Sequence, residues 1–386
     1  MRRMTAAIGA AVALAGLVTA AGPAAAGQST TGQSTAGAST AGTSAACKPA
    51  LTVLGALPGT EAAWPKEGVR ALGRGTLSVG SSRGKPVYWT GTTVHRVPLP
   101  DSRVDGVLVG VNQSGLMVGW YTPYGTTSQV GFTYRAGDAA VTELPGAPRW
   151  GQELHVNDAG RVASGAYGDT SIRVYSGGAV ERTLTLPEEL GTDTHVYTVG
   201  GINSRGDVVA TVNKVQPDTG GRVEFSYPVV WPGDGGPARV LPQAGTGAND
   251  SWVTGVSDDG TVVGSDWYGP GYQWTAWVWA APYGTPGSSP GRLSTHPSAG
   301  FEGISPTTRT AVGSARFHPE DGGADQAVLW PGSGPVLALP RLAAGKTAEA
   351  VAVSDDDRAG GSAVNASGKN RAVVWKCASR QAYLPG

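Results

Sequence analysis

Seven imperfect copies of one short motif constrain this chain more than any other feature. VNQSGLMVG at 111–119 returns as VNDAGRVASG from Val156, INSRGDVVA from Ile202, VSDDGTVVG from Val256, ISPTTRTAVG from Ile304 and VSDDDRAGG from Val353. A weaker copy, LGRGTLSVG, starts at Leu72. The Asn or Ser of the motif falls at Asn112, Asn157, Asn203, Ser257, Ser305 and Ser354, with Gly73 in the degenerate first copy, so the period runs from 39 to 54 residues. Two further landmarks recur in fixed order. An aromatic closes a short apolar run at Trp89, Tyr134, Tyr175, Trp231, Trp279, Trp330 and Trp375, and a Leu-Pro pair follows at Leu99, Leu144, Leu186, Leu241, Leu339 and Leu384. The fifth copy alone lacks its Leu-Pro.

Each landmark has a physical reading. An Asn or Ser side chain bonds the backbone two residues on, and a Gly three positions later takes a left-handed conformation, so the motif spells a strand, a tight hairpin turn and a second strand. The aromatic ends a third strand and Leu-Pro a fourth, where proline is tolerated because an outer edge needs no donor on its open side. Small residues before the turn, at Gly110, Gly201, Gly255, Gly303 and Ala352, mark inner strands where neighbouring sheets crowd. One such sheet leaves an apolar face wet, so the units must stack. The chain is therefore predicted to be all-β: a seven-bladed β-propeller of four-stranded antiparallel blades. The repeats fall near 68–106, 107–150, 151–195, 196–248, 249–299, 300–346 and 347–386, all within one domain spanning 47–386.

Closure of the ring leaves one strand over. CKPALTVLGALPG at 47–59 resembles a fourth strand ending in Leu57-Pro58, yet the last repeat has its own candidate, AYLPG at 382–386. The early strand either completes the final sheet or lies outside it as a fifth strand. The two cysteines, Cys47 and Cys377, are expected to form a disulfide clasping the two ends.

Residues 1–26 read as a secretory signal peptide, with Arg2 and Arg3, an apolar stretch, and Ala24-Ala25-Ala26 before Gly27; an uncleaved anchor is the competing reading. Residues 27–46 hold only Gly, Gln, Ser, Thr and Ala and read as a disordered linker. A secreted protein, extracellular or held at the cell wall, is the expectation, with no membrane contact after cleavage and a monomeric state. The 29 basic and 29 acidic residues balance, so no basic surface is in surplus for nucleic acid.

The motifs resemble the extracellular HAF repeat family, whose units carry a G-[IV]-N-x-x-G-x-V-V-G core followed by an A-x-x-W strand. The best matches are Gly201–Ala210 with Val229–Trp231, and Gly255–Gly264 with Ala276–Trp279; Thr308 and Asp357 depart from the pattern where Gly is usual, which implies reshaped turns. The resemblance implies an exported repeat domain and transfers no catalytic residue.

Catalytic and cofactor motifs are missing: no HExxH, GxSxG, P-loop or dinucleotide fingerprint is present, and no cofactor, metal ligand set or catalytic residue is assigned. His95, His155, His195, His296 and His318 are scattered. The acidic runs Asp258-Asp259 and Asp355-Asp356-Asp357 lack the spacing of a calcium loop and sit where hairpin turns favour Asp. What exceeds structural need is aromatic. Trp64, Trp120, Tyr121, Tyr124, Trp150, Tyr167, Trp267, Tyr268, Tyr272 and Trp274 fall in or near loops expected on one face, where rings stack on sugar planes or grip a partner chain, while the same rings can instead plug seams between blades. The leading expectation is a non-catalytic module binding extracellular polysaccharide or a protein surface. A carbohydrate hydrolase or lyase using loop Asp, Glu and His residues, and a structural protein of the cell envelope, are the alternatives.

Overall fold

The motif turns are what the sheets are built around. In the computed structural model, which describes residues 47–101, 104–146, 149–218, 221–242, 250–268, 273–317 and 322–385, the Asn112 side-chain oxygen accepts the backbone N–H of Ser114 and of Leu116, at 3.1 and 2.9 Å. Gly115 turns the corner at φ +78°. The expected signal peptide and linker, 1–26 and 27–46, lie outside the described residues.

β1 (Ala50–Val53) precedes the repeats. The first repeat forms β2 (Gly68–Leu72), β3 (Leu77–Ser82), β4 (Lys85–Thr90) and β5 (Thr93–Arg96), and the second β6 (Asp105–Val111), β7 (Met117–Thr122), β8 (Val130–Tyr134) and β9 (Thr142–Glu143). The third forms β10 (Gln152–Val156), β11 (Val162–Ala166), β12 (Ser171–Ser176) and β13 (Ala179–Thr185), and the fourth β14 (Thr194–Ile202), β15 (Val208–Asp218), β16 (Gly221–Trp231) and β17 (Arg239–Val240). The fifth has β18 (Asp250–Val256), β19 (Val262–Tyr268) and β20 (Gln273–Trp279), and the sixth β21 (Ser298–Ile304), β22 (Ala311–Arg316), β23 (Gln326–Trp330) and β24 (Leu337–Ala338). The seventh comprises β25 (Ala348–Ser354), β26 (Arg358–Val364) and β27 (Asn370–Lys376), followed by a helical turn, α1 (Ala378–Gln381).

Among the described residues these strands make five four-stranded sheets and one of seven strands. The larger sheet joins the fourth and fifth repeats through a single parallel bridge, Ser226 to Asp250. In the fifth repeat, where Leu-Pro is missing, the outer position is held only by a bridge between Val278 and Ser288. First strands touch in sequence, β2 with β6, β6 with β10, and so on to β25, which touches β2. The chain of contacts is closed.

The surplus strand is resolved in favour of the N-terminus. β1 pairs antiparallel with β27, Leu51 opposite Trp375, and completes the last sheet in the order β1-β27-β26-β25. The competing AYLPG segment turns away through α1, and Tyr383 bridges Ala338 of the sixth sheet. Cys47 and Cys377 are joined by a disulfide with Cα atoms 6.0 Å apart.

Several of the sequence landmarks also bond a neighbouring sheet. Beyond capping its own turn, Asn112 donates through Nδ2 to the carbonyl of Asn157 at 3.0 Å, Asn157 to that of Asn203 at 2.8 Å, and Asn203 to that of Ser257 at 2.9 Å. The acidic residue after the motif position reaches the opposite way. Asp158 accepts the N–H of Gln113, Asp258 that of Ser204, and Asp355 that of Thr307. Asp259 and Asp356 cap their own turns through Ser257 and Ser354, so the acidic runs serve turns and sheet contacts. Where the first copy is degenerate, Arg358 of the last repeat donates to the Gly73 carbonyl instead.

In five repeats the third-strand aromatic bonds a carbonyl near the preceding Leu-Pro. Trp89 donates to Gly55, Tyr175 to Pro145, Trp231 to Thr185, Trp279 to Pro242 and Trp375 to Pro340, at 2.7 to 2.9 Å. Trp330 follows the repeat without a Leu-Pro, and it donates within its own loop, to Gly334.

The departures from glycine have simple outcomes. Asp357 takes the left-handed conformation itself, at φ 62°, as short Asx side chains tolerate; in the sixth repeat the left-handed position moves on to Arg309, at φ 60°. Crowding before the turn is real at Gly255, where an added Cβ would lie 2.9 Å from Ile304 Cγ2 in the next repeat. At Gly201 it would meet nothing closer than 3.6 Å. The second-strand glycine has another cause. A Cβ on Gly264 would lie 1.8 Å from the Trp252 carbonyl, opposite a bulge at Thr254. The third repeat carries Ser164 at the matching place, and its first pair has no bulge.

Asn157→Ala removes both a turn cap and a buried inter-sheet donor, and should cost roughly 1–3 kcal/mol in thermal or urea unfolding. Asn365 caps the turn after β26 with the same kind of local bonds, to Ser367 and Lys369, and among the described residues it donates to no neighbouring sheet. Asn365→Ala should cost clearly less, and equal losses would remove the inter-sheet bond as the reason for the motif.

Candidate functional site

The outer ends of the first strands, away from the hairpin turns, surround a cavity of about 390 Å³. Its wall is a run of aromatic rings. Trp150, just before β10, meets Tyr167, just after β11, edge-on at 5.8 Å; Tyr167 meets Tyr197 of β14 at 6.1 Å; Tyr197 meets Trp252 of β18 at 6.3 Å; and Trp252 meets Trp274 of β20 at 4.7 Å. The run ends at Arg316 of β22, whose guanidinium carbon lies 6.0 Å from the Trp274 ring centroid. Around the turns at the opposite end of the same strands lies a smaller cavity of about 230 Å³ that includes Asn112, Asn157 and Asn203.

The rings arrive here by two routes. Trp150, Tyr167 and Trp274 belong to the loops and strand ends that sequence reasoning singled out. Tyr197 and Trp252 lie inside first strands and were missed, although each interrupts an otherwise small or polar stretch, THVYTV and DSWVTG, shortly before the motif turn.

The other expected residues are placed elsewhere. Trp64, 57% exposed, stacks on Trp120 with centroids 4.7 Å apart. Trp120 and Tyr121 are buried, and Tyr121 donates to Glu143, so these two rings fill the seam rather than extend the aromatic face. Tyr124 is exposed away from the arc. Trp267 and Tyr268 lie in β19, with Trp267 paired to Trp274, but their side chains are outside the described residues, as is Tyr272.

Two carboxyl groups line the same cavity. Burial pushes Glu153 of β10 up to about 7, against a weaker opposing pull from Arg70. Burial also raises Glu302 of β21, while Arg316 pulls it down and Glu349 raises it further. Glu302 is engaged by Arg316 at 2.8 Å. Both acids replace apolar side chains in first strands, QELHV and FEGI, which is the signal that could have found them. The bulge opposite Gly313 makes Glu302 the extra residue of its strand, a device that re-aims a side chain.

Further polar groups lie on the same strands. The indole N–H of Trp252 is buried with no acceptor among the described residues. Burial lowers the His155 pKa, and its Nε2 is 2.8 Å from the Val199 carbonyl. His195 packs edge-on against Tyr167 at 5.1 Å. Among the described residues no group of three or more His, Cys, Asp or Glu is placed to hold a metal ion; His318 lies outside them.

No family model matches the sequence, and no curated protein matches it. Solved structures do. The β-propeller domain of the trilobed protease from Pyrococcus furiosus matches with a TM-score of 0.50 at 10% identity, over 78% of this chain and 88% of that one. Virginiamycin B lyase from Staphylococcus aureus matches with a TM-score of 0.51 at 10% identity, over 85% and 99%. A prolyl endopeptidase structure matches with a TM-score of 0.50 at 16% identity, over 81% of this chain and 47% of that one. At such identities the likeness shows the fold, a β-propeller, and nothing of the chemistry.

Glu153 makes a pH test of the site's electrostatics. Its folded pKa lies above the ordinary 4.5, so the folded protein keeps a proton that the unfolded chain loses. The group's contribution to stability should fall as pH rises from about 4.5 to about 7, then stay level. Urea midpoints of the native protein minus those of Glu153→Gln should trace that decline, whereas a flat difference would mean that the carboxyl is not buried as described.

Proposed function

We propose that the chain is a secreted, seven-bladed, HAF-type propeller that binds extracellular carbohydrate along the aromatic arc and performs no chemistry on it. The seven motif copies and the closed cycle of first-strand contacts support the blade count, with the seven-stranded sheet taken as two blades bridged at Ser226 and Asp250. The signal-like segment at 1–26 and the disulfide between Cys47 and Cys377 support export.

The observation that carries the binding reading is the arc itself. Five rings follow one another at 4.7 to 6.3 Å across four repeats, far more than a seam plug needs and long enough for several sugar rings in a row. Aromatic faces take the C–H face of a pyranose, and the unpartnered Trp252 N–H suits a hydroxyl acceptor. A protein partner is less well served, since the rings line a concavity rather than a broad flat patch.

One observation favours a hydrolase or lyase instead: two carboxyls with raised pKa line the same cavity, as general acid and base chemistry requires. Titration with oligosaccharides of increasing length decides between them. Saturable binding that tightens with length, leaves the oligomer uncut, and weakens about tenfold or more in Trp252→Ala and Trp274→Ala is expected. Cleavage of the oligomer would establish the enzyme reading, and binding indifferent to both substitutions would move the site elsewhere.

A further inference from the structure

The two ends of the arc differ in one respect. At one end the Arg316 guanidinium lies 6.0 Å from the Trp274 ring centroid and bonds Glu302 at 2.8 Å, a ring and an anion sharing one cation. At the other end Trp150, Tyr167 and Glu153 line the same cavity, again a carboxyl and aromatic rings around one space. Here no cation is bonded: Glu153 makes no hydrogen bond or ion pair among the described residues.

The surroundings of Glu153 do not supply a cation. Arg70 of β2 pulls on it as a charge, with no hydrogen bond or ion pair to it among the described residues, and acts on Glu302 as well. Arg316 is held by Glu302. On its own strand His155 is kept neutral by burial, and from β14 His195 and Tyr197 approach the neighbouring Tyr167 ring rather than the carboxyl. A carboxylate among ring faces is the combination that attracts an ammonium ion, because the ring quadrupole and the anion pull in the same direction.

We infer that the ligand of this arc is an amino-sugar polymer, whose positively charged nitrogen docks between Glu153 and the faces of Trp150 and Tyr167 while neighbouring sugar rings lie on Tyr197 and Trp252. The inference rests on the carbohydrate reading above and narrows it to one class of sugar. It also gives a charge partner to a half-buried acid that makes no hydrogen bond or ion pair among the described residues. A bound ammonium lowers the Glu153 pKa, so the carboxyl releases its proton to water and the carboxylate left behind pairs with the cation.

The test uses the full mature chain and three oligomers of equal length: N-acetylglucosamine, glucosamine, and glucosamine carrying a permanent trimethylammonium group. Both charged oligomers should bind at least tenfold more tightly than the acetylated one at pH 7, and Glu153→Gln should abolish that preference. Affinity for the permanently charged oligomer should rise about tenfold from about pH 6 to about pH 8, because Glu153, held up to about 7, ionises over that interval. Equal binding of all three overturns the inference and leaves the carbohydrate reading standing, and binding of none overturns both. Should Glu153→Gln fail to fold, the comparison of oligomers on the native chain decides alone.

Discussion

A four-stranded sheet of forty-odd residues has an apolar face too large to leave wet and a backbone too short to fold around it. Everything in this molecule follows from how each sheet is fixed to the next. Apolar contact supplies attraction but no register, since one Val surface slides over another at little cost. Register comes from buried polar groups with a single acceptable partner. Asn157 caps its own turn with its oxygen and donates its amide to the Asn203 carbonyl, so a turn that shifted would strand a buried donor. Further from the axis the Trp231, Trp279 and Trp375 indoles do the same with carbonyls of the preceding repeat.

This explains which parts of the structure were legible in sequence. The motif Asn, the strand-ending aromatic and the Leu-Pro recur because they take part in contacts between sheets, and their spacing carried the all-β, repeated-sheet architecture. Even an irregularity is consistent: the fifth repeat lacks Leu-Pro, and Trp330 after it turns to its own loop. The choice between two competing last strands was not legible. CKPALTVLGALPG and AYLPG have the same local pattern, and only the geometry of β27, with Cys377 closing onto Cys47, selects the first.

The site was legible in kind and not in membership. Loop aromatics Trp150, Tyr167 and Trp274 join the arc, but its centre is made by Tyr197 and Trp252 and its charged floor by Glu153 and Glu302, all on first strands. Strand residues near the axis alternate between packing and facing the cavity, and bulges reset that alternation. The bulges that place Thr254 and Glu302 are visible in sequence only as a second-strand glycine, whose role needs coordinates to interpret. The third strand set, with Ser164 and no bulge, brings Glu153 to the same cavity by a different register. A repeated frame thus presents non-repeated side chains at one end, while the repeated polar turns hold the other.

Completion of the last sheet by β1 is the claim on which the joining of the two ends of the domain depends, and hydrogen exchange tests it directly. The amides of β1 that face β27, at Ala50 and Thr52, and the N–H of Leu54, which donates to Ala372 at 2.9 Å, should exchange as slowly as those of β27. Exchange of these amides at unprotected rates, while β25 to β27 remain protected, would show a final sheet that stands without its N-terminal strand and would contradict that joining of the ends.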